Sequence, residues 1–158
     1  MTAAAKLLPE LRLIPGFALD LTTADHDGKL WDFDSKVMRD RAMERVNREK
    51  PLLLVGSPMC TAFSTWQRIN AKIRDPYIVE CEKRRAIMHL EFCCELYREQ
   101  FKNGRYFIHG YPAYATSWQE ECIRKMLDEP GVEAATCDQC QYGCSAADGT
   151  PVKKPRPS

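Results

Sequence analysis

The stretch PLLLVGSPMCTAFSTWQ, Pro51 to Gln67, decides how the rest of the chain is read. Leu52 to Val55 is an unbroken apolar run of strand length, opened by a proline. Such a run suits a central parallel strand covered on both faces, although a buried helix segment has the same apolar character. Gly56, Ser57 and Pro58 stop it, and Cys60 follows on the turn beyond its carboxyl end. Ligands of open α/β sheets bind outside the carboxyl ends of strands, so a thiol there is a candidate nucleophile. The competing assignment is a small side chain filling a gap, because free cysteine is among the most buried residue types.

Upstream, Thr2 to Arg12 is rich in helix formers and reads as a short helix flawed by Pro9. Phe17 to Leu21 reads as a second strand after the Pro15-Gly16 turn. Asp20 near its end is either a ribose acceptor or a turn residue. Trp31-Asp32-Phe33 leads to a helix capped by Asp34 or Ser35 and running to about Lys50, with Met38, Ala42 and Val46 on one face.

Downstream, Phe63, Ser64, Trp66 and Ile69 suggest a short helix or ordered loop. Asp75-Pro76 opens a long helix from about Tyr77 to Lys102, ended by Asn103-Gly104. Ala86, Leu90, Cys93, Cys94, Tyr97 and Phe101 form its apolar stripe, which makes both cysteines core residues; His89 is structural. Arg105 to His109 is a third strand, broken at Gly110-Tyr111-Pro112. Ser117 and Glu120 have capping-box spacing and open a helix to about Asp128, with Trp118, Cys122, Ile123 and Met126 inward. Val132 to Cys137 is a fourth strand. Cys137, Cys140 and Cys144 have partial zinc spacing, but no second pair completes it.

The chain of 158 residues suffices for one domain, and its net charge of +1 carries no global signal for nucleic acid. No apolar run approaches membrane-spanning length. Eight cysteines without a secretory signal read as reduced thiols or metal ligands and not disulfides, hence a cytoplasmic or nuclear protein. Strands alternating with helices predict an α/β layer fold with a parallel sheet. Residues 1–145 form the domain and residues 146–158 a flexible tail.

GSPMCTAFS resembles the Pro-Cys catalytic motif of DNA cytosine-5 methyltransferases. Nearly the whole chain is similar to methyltransferase-like domains found in mobile-element polyproteins and stand-alone proteins. The matching pieces are GFALDLT, DGKLWDF, GSPMCTAFS, GRYFIH, ATSW, DQCQYG and PVKKP, in that order. The resemblance implies a three-layer Rossmann-like methyltransferase fold with a mainly parallel sheet. It also implies S-adenosylmethionine as cofactor and DNA as partner. Cys60 matches the nucleophile that adds to C6 of a flipped cytosine, and Pro58 the proline that shapes the turn. Asp20 matches the cofactor-ribose position and Asp32 the adenine reader. The family glutamate at the next strand end is replaced: His109-Gly110-Tyr111-Pro112 stands where relatives carry His-Glu-His-Pro. Either His109 or Tyr111 takes its part, or the chain is an inactive or altered descendant of the family. The family's first strand is missing: either the two flanking strands close up, or another chain or segment supplies it, or the sequence is a fragment.

Two other functions stay open. One is a non-catalytic nucleic-acid or protein interaction module on the same fold, favoured by Gly110. The other is a thiol hydrolase using Cys60 and His109, which requires the two side chains to meet.

Overall fold

The computed structural model describes residues 12, 14–64, 67, 73–137, 143 and 145–151. Among these residues the fold is α/β: α1 (Lys36–Glu49), β1 (Leu53–Gly56), α2 (Pro76–Lys102), β2 (Tyr106–His109) and α3 (Glu121–Leu127). Short 3-10 turns at Thr61–Phe63 and Thr116–Gln119 follow the two strands. β1 and β2 pair in parallel, in register from Leu53 opposite Tyr106 to Gly56 opposite His109.

Local chemistry sets both long helices. In α1, Met38, Ala42 and Val46 recur one turn apart and all three are buried. Its start is held by the Arg39 guanidinium, which donates to the carbonyls of Phe33 and Asp34. It ends at Lys50, in the left-handed region, and Pro51 cannot continue it. The Asp75 side chain accepts from Tyr77 N at 2.8 Å, and Pro76 sits at the first helical position of α2, where its missing N–H costs nothing. Gly104, at φ 64°, carries the chain out of α2.

α2 is the hub of the core. Leu90, Cys94 and Tyr97 pack with Phe63, Ala115, Ile123 and Met126. Phe92 and Leu96 pack with Trp31, Met38, Ala42 and Val46. Leu54 of β1 touches both clusters. Tyr97 lies flat on Phe107, with ring centroids 4.7 Å apart. Gln100, with no exposed surface, donates through Nε2 to the carbonyls of Pro51 and Tyr106, and its Oε1 accepts from Arg105 Nε. It clasps the starting ends of both strands.

Several expectations change. β1 is not covered on both faces by the described residues: Leu54 and Gly56 face α2, but Leu53 (38%), Val55 (37%), Tyr106 (66%) and Ile108 (49%) leave the other face bare. Phe17 to Leu21 alternates inward and outward like a strand yet has no ladder partner among the described residues, and a turn begins at Asp20. Val132 to Cys137 forms no strand either. Strands need partners, and apolar alternation alone does not supply them. Ser117 caps nothing: it is buried within the 3-10 turn, and Glu120 stands at the cap position of α3 without a side-chain bond. Phe101 is exposed, whereas Phe92, Leu96 and Gln100 are buried. The Thr2–Arg12 helix, apart from Arg12, and Trp66, Ile69, Cys140 and Cys144 lie outside the described residues.

Candidate functional site

The in-phase pairing of β1 and β2 puts their carboxyl ends side by side. Three hydrogen bonds then join the two corners: Gly110 N to Gly56 O at 2.9 Å, Ser57 Oγ to Gly110 O at 3.3 Å, and Tyr111 Oη to Met59 O at 2.9 Å. Cys60 follows Met59 at the start of the Thr61–Phe63 turn and is half-buried. Thr116 Oγ1 donates to Phe63 O at 3.3 Å and ties that turn to the segment after β2.

Behind the corner stands a tier of rings. Tyr111 stacks on His109, with centroids 5.0 Å apart and planes 12° apart. Trp118 meets both edge-on, and its Nε1 donates to Pro112 O at 2.8 Å. His109 Nδ1 shares a hydrogen bond with Tyr97 Oη at 2.9 Å. His109 Nε2 is buried with no partner among the described residues. Burial lowers the His109 pKa to about 4, so the ring is neutral near pH 7. Burial and the nearby Cys60 push the Tyr111 phenol up, so its hydroxyl keeps its proton.

Cys60 and His109 therefore sit at adjacent strand ends but do not hydrogen-bond. Nδ1 is committed to Tyr97, and no described residue bonds Nε2. This arrangement removes the dyad that a thiol hydrolase needs. Tyr111, not His109, extends to the Cys60 turn. Gly110 has room: a Cβ there would meet only Gly56 O at 3.8 Å and Ser57 Oγ at 4.0 Å.

His109 also predicts a pH dependence. Its folded pKa of about 4 lies below its ordinary 6.5, so the unfolded chain binds the extra proton between those values. The stability of the neutral buried ring is full above about pH 6.5 and is lost as pH falls toward about 4. The thermal midpoint should fall across that window, and the slope should flatten in His109→Gln. Equal slopes in both proteins would refute the assignment. Asp20, Asp25 and Glu82, already held below their ordinary values, act at lower pH.

The candidate cofactor residues are more scattered. Pro58 lies on the turn itself. Asp20 Oδ1 accepts from Thr22 Oγ1 at 2.6 Å and Thr22 N at 2.7 Å, and the hydroxyl bond, then the amide bond, hold its carboxyl below the usual range. Asp32 Oδ1 accepts from Asp34 N at 3.0 Å. The described residues form no cradle for the methionine end of S-adenosylmethionine, so the donor set matches that cofactor only in part.

Other chemistry-bearing groups are spoken for. Asp25 and Asp27, beside His26, are the carboxylates of a metal-like cluster, but the Arg41 guanidinium bonds both and offsets one of their two charges. Asp34 accepts from Arg85 and pairs with His89, which docks the approach to α1 onto α2 and confirms His89 as structural. Burial pushes the Cys93 thiol up to about 12 and Cys94 higher still, as befits inert core thiols. Of the zinc-spaced cysteines, Cys137 is exposed. The residues that sequence reasoning missed are Ser57 and Tyr97. Ser57 looks like turn filler and Tyr97 like one more stripe residue, so neither carried a signal. No described helix is long and apolar enough to cross a membrane. Neither protein-family profiles, curated proteins nor solved structures give a match to the chain.

Proposed function

We propose that the chain is a DNA cytosine-5 methyltransferase-like domain that uses Cys60 as its nucleophile. One observation carries the reading: Cys60 is a half-buried thiol on the turn after a parallel strand, and that turn is hydrogen-bonded through Met59 to the neighbouring strand end, where the family places its proton donor. Asp20 and Asp32 stand as holders of the cofactor ribose and adenine, and Pro58 shapes the turn. S-adenosylmethionine supplies the methyl group in such enzymes. The outer edge of β1 has no strand partner among the described residues, and Phe17 and Leu19 rest on the same cluster as Leu54. Another chain or segment pairing with β1 fits both facts. The Rossmann-like three-layer architecture follows from the same reading, since parallel sheets are normally covered on both faces.

A second reading, a non-catalytic interaction module, is favoured by Gly110, which has no side chain to donate a proton, and by the sheet face that the described residues leave bare. The experiment that separates them uses labelled S-adenosylmethionine and cytosine-containing DNA. The methyltransferase reading expects label on cytosine, lost in Cys60→Ala, and a thermal midpoint raised by S-adenosylhomocysteine. A cooperatively folded chain with neither effect would leave the interaction module.

A further inference from the structure

We propose that Tyr111, and not His109, is the hydrogen-bond donor that works beside Cys60 on a pyrimidine ring. The inference rests on the cytosine reading of Cys60 and extends it to the residue after Gly110. Tyr111 Oη crosses from the β2 corner to Met59 O, the carbonyl one residue before the thiol. That bond is exposed, so an incoming ring nitrogen can replace the carbonyl as its acceptor. The ring is held on three sides, stacked on His109 and met by Phe63 and Trp118, which leaves the hydroxyl little freedom to wander. His109 offers neither nitrogen, one being bonded to Tyr97 and the other sealed. Gly110, lacking a side chain, leaves the approach between Ser57 and Tyr111 open. The phenol, kept protonated by burial and by Cys60, is suited to donate rather than to ionise.

In the addition step the Cys60 thiolate places an electron pair on C6 and forms the S–C6 bond. The C5=C6 π pair shifts to C5 and, through C4, onto N3. Tyr111 donates its O–H to N3 and stabilises that charge, keeping its own proton. With 5-azacytosine the displaced pair spreads over N5 and, through C4, N3, where Tyr111 donates as before, and N5 then takes the proton the thiol lost. The S–C6 adduct then persists and can be weighed.

The test incubates the full chain with a single-stranded oligonucleotide carrying one 5-azacytosine and follows the adduct by intact mass. Wild type should accumulate it, Cys60→Ser should not, and Tyr111→Phe should be slower by about a hundredfold. The midpoint of Tyr111→Phe should stay near that of wild type, since packing is retained. Equal capture by wild type and Tyr111→Phe would overturn the role of Tyr111 and keep the cytosine reading. Capture by Gly110→Glu alone, with none by wild type, would also overturn it, because the corner then lacks a working donor. No capture by either would remove the cytosine reading and this inference together.

Discussion

Gly56→Ala is expected to lower the thermal midpoint by roughly 6–12 °C, an overpacking cost of about 3 kcal/mol in a domain of this size. The reason is a single contact. A Cβ at Gly56 would stand 1.9 Å from Tyr97 Oη and 2.8 Å from its Cζ. Tyr97 cannot swing aside: it is almost wholly buried, stacked on Phe107 and bonded to His109. The smallest possible side chain therefore forces either β1 away from α2 or the tyrosine out of its bond. The strain is carried by the hydroxyl, so Tyr97→Phe should partly rescue Gly56→Ala. The double variant should melt above the sum of the two losses, a coupling that a thermal double-mutant cycle reads directly. Strict additivity would mean that the clash is relieved elsewhere. Because Gly56 is also the last residue before the Cys60 turn, Gly56→Ala should change the alkylation rate of Cys60 as well.

Gln100→Leu should cost about 2–4 kcal/mol, although it preserves volume and lies far from Cys60 along the strands. Leucine can replace the packing but none of the three hydrogen bonds. The carbonyls of Pro51 and Tyr106 lose a donor, and Arg105 Nε loses its acceptor. The guanidinium matters most, because Arg105 Nη2 is already buried without a partner. Gln100→Glu keeps an acceptor for Arg105 but, when ionised, cannot donate to either carbonyl, so it should recover only part of the loss. Urea unfolding with an unchanged m-value and a lower midpoint is the expected signature. Hydrogen exchange should quicken at Tyr106 N, which donates to Leu52 O beside the clasp. A stability loss under 1 kcal/mol would show that water serves these groups equally well.

Both long helices were legible because their signals are local. The four-residue spacing of Met38, Ala42 and Val46, the Asp75-Pro76 start and the Asn103-Gly104 stop each act within a few residues. Leu53–Gly56 and Tyr106–His109 were legible as dense apolar or β-branched runs between breakers. Phe17 to Leu21 and Val132 to Cys137 have the same look, but a strand exists only where another offers its amides and carbonyls. Nothing in a short run says whether that neighbour is present. Gln100 sits in an RE-Q-FK context that reads as solvated surface. Its burial comes from two strand ends converging on it from distant parts of the chain.

By itself the sequence determined that Cys60 follows a strand, that Gly110 leaves the next corner without an acid, and where α1 and α2 begin and end. These properties belong to covalent order and to interactions within one or two turns. Only the tertiary structure decided which ring at the second corner reaches the Cys60 turn. His109 and Tyr111 are two residues apart, yet the pairing with β1 turns His109 inward onto Tyr97. The chain leaves the ladder at Gly110, and that change of course lets Tyr111 stack over His109 and reach Met59. The direction of a side chain beyond the end of a strand depends on what the neighbouring strand and helix leave open, and that is set by contacts between segments far apart in sequence.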